Sequence, residues 1–156
     1  MSAQIAAIPA GYHTVSPYLV VSDAARAIDF YCRAFGAQER RRLTTPDGKV
    51  MHAEITLGDS IIMLSDEFPN HDAVAPERLG GSAMFVVLYV EDADGRVEQA
   101  VRAGAVILRP VADQFFGDRS GTVRDPFGHR WTFTTHIEDV SDAEINRRFA
   151  QMVAMQ

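Results

Sequence analysis

The sequence predicts an α+β fold of two βαβββ modules in tandem, closed by a C-terminal helix. Three observations carry that expectation. Two segments have the 3.6-residue apolar spacing of an amphipathic helix; each follows a β-rich run and ends at a glycine. Residues recur at one separation of 69, pairing Val21 with Val90, Asp23 with Asp92, Ala24 with Ala93, Arg33 with Arg102 and Ala34 with Ala103. The order of elements repeats at the same separation, as expected of an internal duplication.

In the first module, residues 14–66, the run VSPYLVV (15–21) reads as a strand, and Ser22-Asp23 as the cap of a helix over 24–35. That helix carries apolar residues at 24, 27, 28, 31, 32 and 35 and stops at Gly36. A strand over 38–43 leads to the turn Pro46-Asp47-Gly48. Strands over 50–57 and 60–64 then form a hairpin across Gly58-Asp59. In the second module, residues 83–136, the apolar run 84–90 is a strand and Asp92 leads into a helix over 93–103, ended by Gly104. A short strand is expected at 106–110, a loop at 115–120, a strand at 121–124, the turn Pro126-Phe127-Gly128 and a last strand at 130–135.

The segment between the modules, 67–82 (preceded by Asp66), is rich in Pro, Gly and acids without a period, and reads as a linker or flexible lid. Ser141 and Glu144 form a capping box for a helix over 141–155. Its apolar face, Ile145, Phe149, Met152 and Val153, is expected to pack on the core or on a partner subunit.

Composition narrows the function classes. With 156 residues, 47% hydrophobic and 23% charged, the chain is long enough for one ordinary domain with a real core. A formal charge of −6 argues against nucleic acid, because phosphate binding needs clustered Lys and Arg. The dense basic run, 39–42, reads as a solvated strand edge. No window is apolar enough for a membrane helix, and the first residues lack a basic leader before an apolar core. A single cysteine, Cys32, cannot pair within the chain and reads as a small hydrophobe on the first helix. Together these make a cytoplasmic location the expectation.

The two βαβββ units, the helix entry VSDAARAIDFYCRAFG and the late turn RDPFGHRW resemble the vicinal oxygen chelate superfamily, the glyoxalase/bleomycin resistance/dioxygenase group. Within it, SPYLVV, HAEITLGDSIIMLSDE, FFGDRSGTVRDPFGHRW and THIEDVS are most similar to the PhnB-like branch, over roughly residues 14–141. The motifs are specific to fold and branch, and not to a reaction. The resemblance implies a curved mixed sheet around a pocket, and a homodimer. Its enzymes bind a divalent metal through four side chains on the first and fourth strands of each unit. Carried over by the resemblance, those positions are Ser16, Met63, Phe85 and Thr132, which offer no imidazole and no carboxylate. The expectation is therefore no metal and no other cofactor. Among the five histidines, none pairs in a helical or HxH metal spacing, and His52 with Glu54 on one strand face is the only two-ligand geometry.

The fold so implied puts one face of each strand on the helices and the other on a ligand. Alternation then sends Ser16, Tyr18 and Val20, Ile61, Met63 and Ser65, and Phe85, Val87 and Tyr89 toward the ligand, with Arg124, Arg130 and Thr132. Ala53, Ile55 and Leu57 should face the helix, which turns His52, Glu54 and Thr56 inward; Trp131 falls on the helix side. Glu54 is expected to pair with Arg124 or Arg130; arginines left free there favour an anionic ligand. The leading functional expectation is metal-independent binding of a small organic molecule, an antibiotic or a metabolite. A glyoxalase-like lyase, isomerase or dioxygenase using His52 and Glu54 as acid and base is the alternative, and a regulatory interaction module is a third.

Overall fold

The computed structural model describes residues 5–156. These fall into two compact units, one ending at Gly81 and the other beginning at Ser82. The first contains β1 (Tyr18–Val21), α1 (Ala24–Phe35), β2 (Gln38–Thr44), β3 (Val50–Leu57) and β4 (Ser60–Asp66), followed by a 3-10 turn (Pro69–His71) and the one-turn α2 (Pro76–Leu79). The second contains β5 (Phe85–Tyr89), α3 (Ala93–Ala103), β6 (Val106–Asp113), β7 (Asp118–Arg124), β8 (Arg130–His136) and α4 (Asp142–Ala154). Each unit has its own four-stranded mixed sheet, ordered β1-β4-β3-β2 and β5-β8-β7-β6. None of the described helices is long and apolar enough to cross a membrane.

The duplication holds at the level of hydrogen-bond register. Tyr18 lies opposite Met63 and Leu19 opposite Leu64 in the parallel pair of the first sheet. Their counterparts 69 residues on, Val87 with Thr132 and Leu88 with Phe133, are paired identically in the second. Helices α1 and α3 are capped alike: the Asp23 carboxylate accepts from the Arg26 N–H at 3.1 Å, and the Asp92 carboxylate from the Gly95 N–H at 3.0 Å. Gly36, at φ 71°, ends α1 in the left-handed conformation that favours glycine.

The last residue or so of each fourth strand fixes the helix to its sheet. Asp66 accepts from the Ala24 N–H through Oδ1 and from the Val50 N–H through Oδ2, both at 2.7 Å. Thr135, at the equivalent place, accepts from the Ala93 N–H at 2.9 Å and donates to the Val90 carbonyl at 2.9 Å. Beneath α1 the first core is Leu19, Val21, Ala53, Ile55 and Leu64, all fully buried, as alternation requires. Beneath α3 lie Val123, Trp131 and Phe133, so Trp131 is indeed on the helix side.

The DPFG segment is structural. Asp125 is buried; its Oδ1 accepts from the Phe127 and His129 N–H groups at 2.8 and 3.0 Å, and its Oδ2 from the Trp131 indole at 2.8 Å. One carboxylate thus closes the β7–β8 turn and satisfies the polar atom of the largest core side chain.

Several expected boundaries move. The first strand begins at Tyr18 rather than residue 15, because Pro17 has no N–H for the ladder and Val15 is 80% exposed. The loop expected at 115–120 shrinks, since β6 runs on to Asp113 and β7 starts at Asp118. The Gln114 N–H to Asp118 carbonyl bond, 2.7 Å, closes the turn between them. The segment expected to be a featureless linker carries the 3-10 turn and α2. Glu67 holds it by accepting from the Ala75 N–H at 2.9 Å and from Arg78 at 3.0 Å, and Ala75 is buried. Helix α4 forms, with Ser141 as cap, but none of its residues is fully buried and Phe149 is half exposed. Its attachment is mostly polar: Arg148 donates to Glu138 and to the Phe115 carbonyl, beside a ring contact between Phe149 and Phe115.

Replacing Asp125 with Ala strands three buried donors and should lower stability by about 2–4 kcal/mol. Asp125→Asn, which keeps one acceptor, should fall between the two. Urea unfolding midpoints at unchanged slope measure both.

Candidate functional site

The second sheet leaves one face open. Alternation puts Phe85, Val87 and Tyr89 of β5, Thr132 and Thr134 of β8 and Asp118, Ser120 and Thr122 of β7 on it, where they line a cavity of about 400 Å³. Phe116, from the β6–β7 turn, and Arg109, Pro110 and Gln114 complete the wall. Consecutive residues such as Arg109 and Pro110 cannot both face one way on a regular strand. Here β6 is irregular on both sides of Arg109, which re-aims the chain as bulges do. Gly121 makes room for that bulge: a Cβ there would lie 2.6 Å from Val111 Cγ2.

The cavity floor is a patch of small hydroxyls, with Thr122 and Thr132 joined at 2.9 Å, between aromatic walls. At one end the Tyr89 hydroxyl donates to Asp118 at 3.2 Å, and His136 bridges Asp118 and Asp139 at 2.8 and 2.9 Å. The Asp118 charge, with the hydrogen bond, pushes the Tyr89 phenol above its ordinary range. Hydrogen bonds to Asp139 and Asp118 raise the His136 imidazole likewise. At the other end Phe85 lies beneath two guanidinium groups, Arg130 at 4.1 Å and Arg109 at 5.1 Å from its centroid.

Three of the expected ligand residues, Phe85, Tyr89 and Thr132, therefore line one cavity. Arg130 stands beside it, stacked on Phe85 and donating to the Ser82 carbonyl. Arg124 is opposite Arg130 on the same face, exposed and outside the cavity lining. Arg109, Gln114, Phe116, Asp118, Ser120 and Thr134 were not anticipated. Asp118 and Ser120 were hidden by the loop expected at 115–120, although moving β3 along the chain by nearly the repeat distance lands on β7. Arg109 and Phe116 follow from a bulge and a turn that leave no periodic trace.

In the first unit Tyr18, Met63 and Glu54 form one row across the sheet, Tyr18 opposite Met63 and Met63 opposite Glu54. Ser16 lies just ahead of β1. Glu54 is 2% exposed, yet its partner is neither Arg124 nor Arg130. Arg40 of β2 donates to it at 3.3 Å, and the Tyr12 hydroxyl meets both its oxygens at 2.8 Å. Arg40 also stacks on the Tyr12 ring, 5.0 Å from its centroid. The charge run therefore supplies a specific partner; Tyr12, ahead of the repeat, gave no signal. Burial opposes ionisation of Glu54, but hydrogen bonds from Tyr12 and His52 with the Arg41 and Arg40 charges outweigh it and hold the carboxyl below its usual range.

His52 Nε2 is 3.2 Å from Glu54 Oε1, and Nδ1 is 3.2 Å from the Tyr18 hydroxyl. An ionised carboxylate only accepts, so Nε2 carries a proton toward Glu54, and Nδ1 meets the Tyr18 hydroxyl. Both ring nitrogens and both carboxylate oxygens are thus engaged inside the unit. Cys32 is half-buried, and burial raises its thiol pKa, as for an unreactive side chain.

The four positions that the resemblance assigns to a metal do not fit one. Phe85 has no donor atom and sits under two cations, Thr132 spends its hydroxyl on Thr122, Met63 offers only a soft thioether and Ser16 a hydroxyl. Among the described residues no three His, Cys, Asp or Glu side chains gather as a metal cluster.

Residues 12–133 match the model of the Glyoxalase/Bleomycin resistance protein/Dioxygenase superfamily. The Mycobacterium bovis protein Mb0911c is 42% identical over 134 residues, covering 84% of this chain and 88% of that one. The crystal structure of TioX from Micromonospora sp. ML1 superimposes with a TM-score of 0.64 at 31% identity, over 80% of this chain and 99% of that one. A PhnB protein from Bacillus cereus shares the fold, with a TM-score of 0.60 at 21% identity over 79% of this chain and 99% of that one.

A carboxylate with a depressed native pKa stabilises the fold above its unfolded value, and that contribution is lost as pH falls through the native one. Tyr12→Phe removes the hydroxyl that helps to depress Glu54. Acid unfolding of the variant should begin at higher pH than in the parent, the stability gap being widest near neutrality and closing as acid protonates Glu54 in both. Fluorescence-monitored acid titration reads the shift.

Proposed function

We infer the function from one premise: this chain belongs to the glyoxalase/bleomycin resistance protein/dioxygenase superfamily. On that scaffold it is a metal-independent binding protein that holds, and so sequesters, a small organic molecule, an antibiotic or a metabolite. The observation that carries the reading is the cavity of about 400 Å³ on the open face of the second sheet. Apolar and aromatic walls around a few polar groups suit small-molecule binding, and the volume lies near the lower end of the roughly 300–1,000 Å³ typical of such pockets. Phe85, Tyr89 and Thr132 contribute directly, with Arg130 and Arg124 on the same face.

Two features favour binding over turnover. The side chains at the metal positions are poor ligands for a divalent ion. His52 and Glu54, the pair for a lyase, isomerase or dioxygenase reading, have their polar atoms committed to Tyr18, Tyr12, Arg40 and each other. Such a cluster orients and rigidifies a face more readily than it moves protons.

Val87 is 55% exposed on the cavity floor, so Val87→Trp fills the cavity without entering the core. Small-molecule hits from a thermal-shift screen should lose most of their stabilising effect in this variant, while its own melting temperature stays close to the parent's. Hits indifferent to the substitution, or tight stoichiometric uptake of a divalent ion by the parent, would sink the reading.

A further inference from the structure

We propose that the cavity of the second unit selects an anionic aryl ligand, a carboxylate on a flat ring system, with the anion at the Arg109 end; this deepens the binding reading above and rests on it. The register of the sheet gathers the cations. Val87, Thr132, Thr122 and Arg109 form one row across the four strands, each opposite the next. Phe85, Arg130 and Arg124 form the adjoining row on the same face. Arg109, Arg124 and Arg130 therefore share one end of the open face.

Among the described residues none of these three arginines makes an ion pair. Arg109 contacts the Phe85 ring, Arg130 contacts that ring and the Ser82 carbonyl, and Arg130 Nε is buried without a hydrogen-bond partner. Three uncompensated guanidinium groups at one place in a chain of net charge −6 are a local reversal of sign. Elsewhere the same protein pairs its arginines: Arg119 with Asp94 and Asp113, Arg148 with Glu138 and Glu144. A guanidinium fork matches the two oxygens of a carboxylate, and charge-assisted hydrogen bonds there are about twice as strong as neutral ones.

The opposite end is closed to an anion. Asp118 carries negative charge and is already held by Tyr89 and His136. Thr122 and Asp118 are four residues apart on β7, about 13 Å at a strand's rise per residue, so the ligand's charged and uncharged ends are told apart along that line. Between them Phe85, Val87, Tyr89 and Phe116 are 39–70% exposed. A flat ring system covers them better than a flexible chain because it loses less conformational freedom on binding.

Three probes with one bicyclic body test the assignment: 2-naphthoate, 2-naphthol and 2-naphthylmethylammonium, each titrated by calorimetry into the full chain. Naphthoate should bind about tenfold tighter than naphthol, the ammonium should bind most weakly, and salt added beyond physiological ionic strength should weaken naphthoate alone. Arg109→Gln with Arg124→Gln should bring the ratio of naphthoate to naphthol affinity from about ten down toward one. Neither side chain is buried or hydrogen-bonded, so an unaltered melting temperature is expected of the variant. Arg109→Lys should restore part of the preference, since it keeps the charge and loses the fork. Equal or better binding of naphthol, or a naphthoate affinity indifferent to both substitutions, overturns the anion assignment and leaves the binding reading standing. Failure of all three probes while screen hits still respond to Val87→Trp does the same, and failure of probes and screen together overturns both.

Discussion

The two helices that pack on the sheets, α1 and α3, are each pinned at the first turn by a side chain from the far end of the last strand of the same sheet. Asp66 does this for Ala24, and Thr135 for Ala93. An N–H at a helix start has no partner within the helix, so a polar atom delivered from the sheet both satisfies it and fixes where the helix crosses. Once α1 and α3 are seated, the pleat sorts the central strands: alternate residues of β3, β4, β7 and β8 become core or open face. The two anchors differ in chemistry, carboxylate and hydroxyl, while occupying equivalent places, so the duplicated units have kept the geometric role and changed the residue that fills it.

The open faces have diverged further. In the first unit the row through Tyr18 and Met63 reaches Glu54, a buried carboxylate that draws in Tyr12, Arg40 and His52 as hydrogen-bond partners. The corresponding row of the second unit has Val87, Thr132 and Thr122, small side chains that leave room. A buried charge needs partners and crowds its surroundings with them, whereas a hydroxyl can bond one neighbour and stop. The difference between Glu54 and Thr122 is therefore the difference between a filled face and a cavity.

Most of the architecture was legible in the sequence because it rests on local signals: capping aspartates, helix-ending glycines and apolar spacing placed α1 and α3 to the residue. The repeat distance foretold that the second unit would reproduce the element order of the first. Alternation sorted Phe85, Tyr89 and Thr132 onto one face and Trp131 onto the other. What escaped depends on contacts distant in sequence. The Tyr12–Glu54–Arg40 cluster joins residues with no shared period, and Arg109 reaches the cavity only because β6 bulges over Gly121. The segment after Asp66 looked formless because its order comes from one glutamate bonding across a turn rather than from periodicity.

The separation of opposite charges along β7 has a consequence for how the molecule looks to a solute at a distance. Arg124 and Asp118 are six residues apart, about 20 Å along a strand, more than twice the Debye length of about 8 Å at physiological ionic strength. In dilute buffer the fields of the two ends, and of the acidic surface as a whole, overlap and an approaching anion meets a net repulsion. At physiological ionic strength the far charges fade from view, and the arginine end acts as an isolated basic spot on an acidic protein.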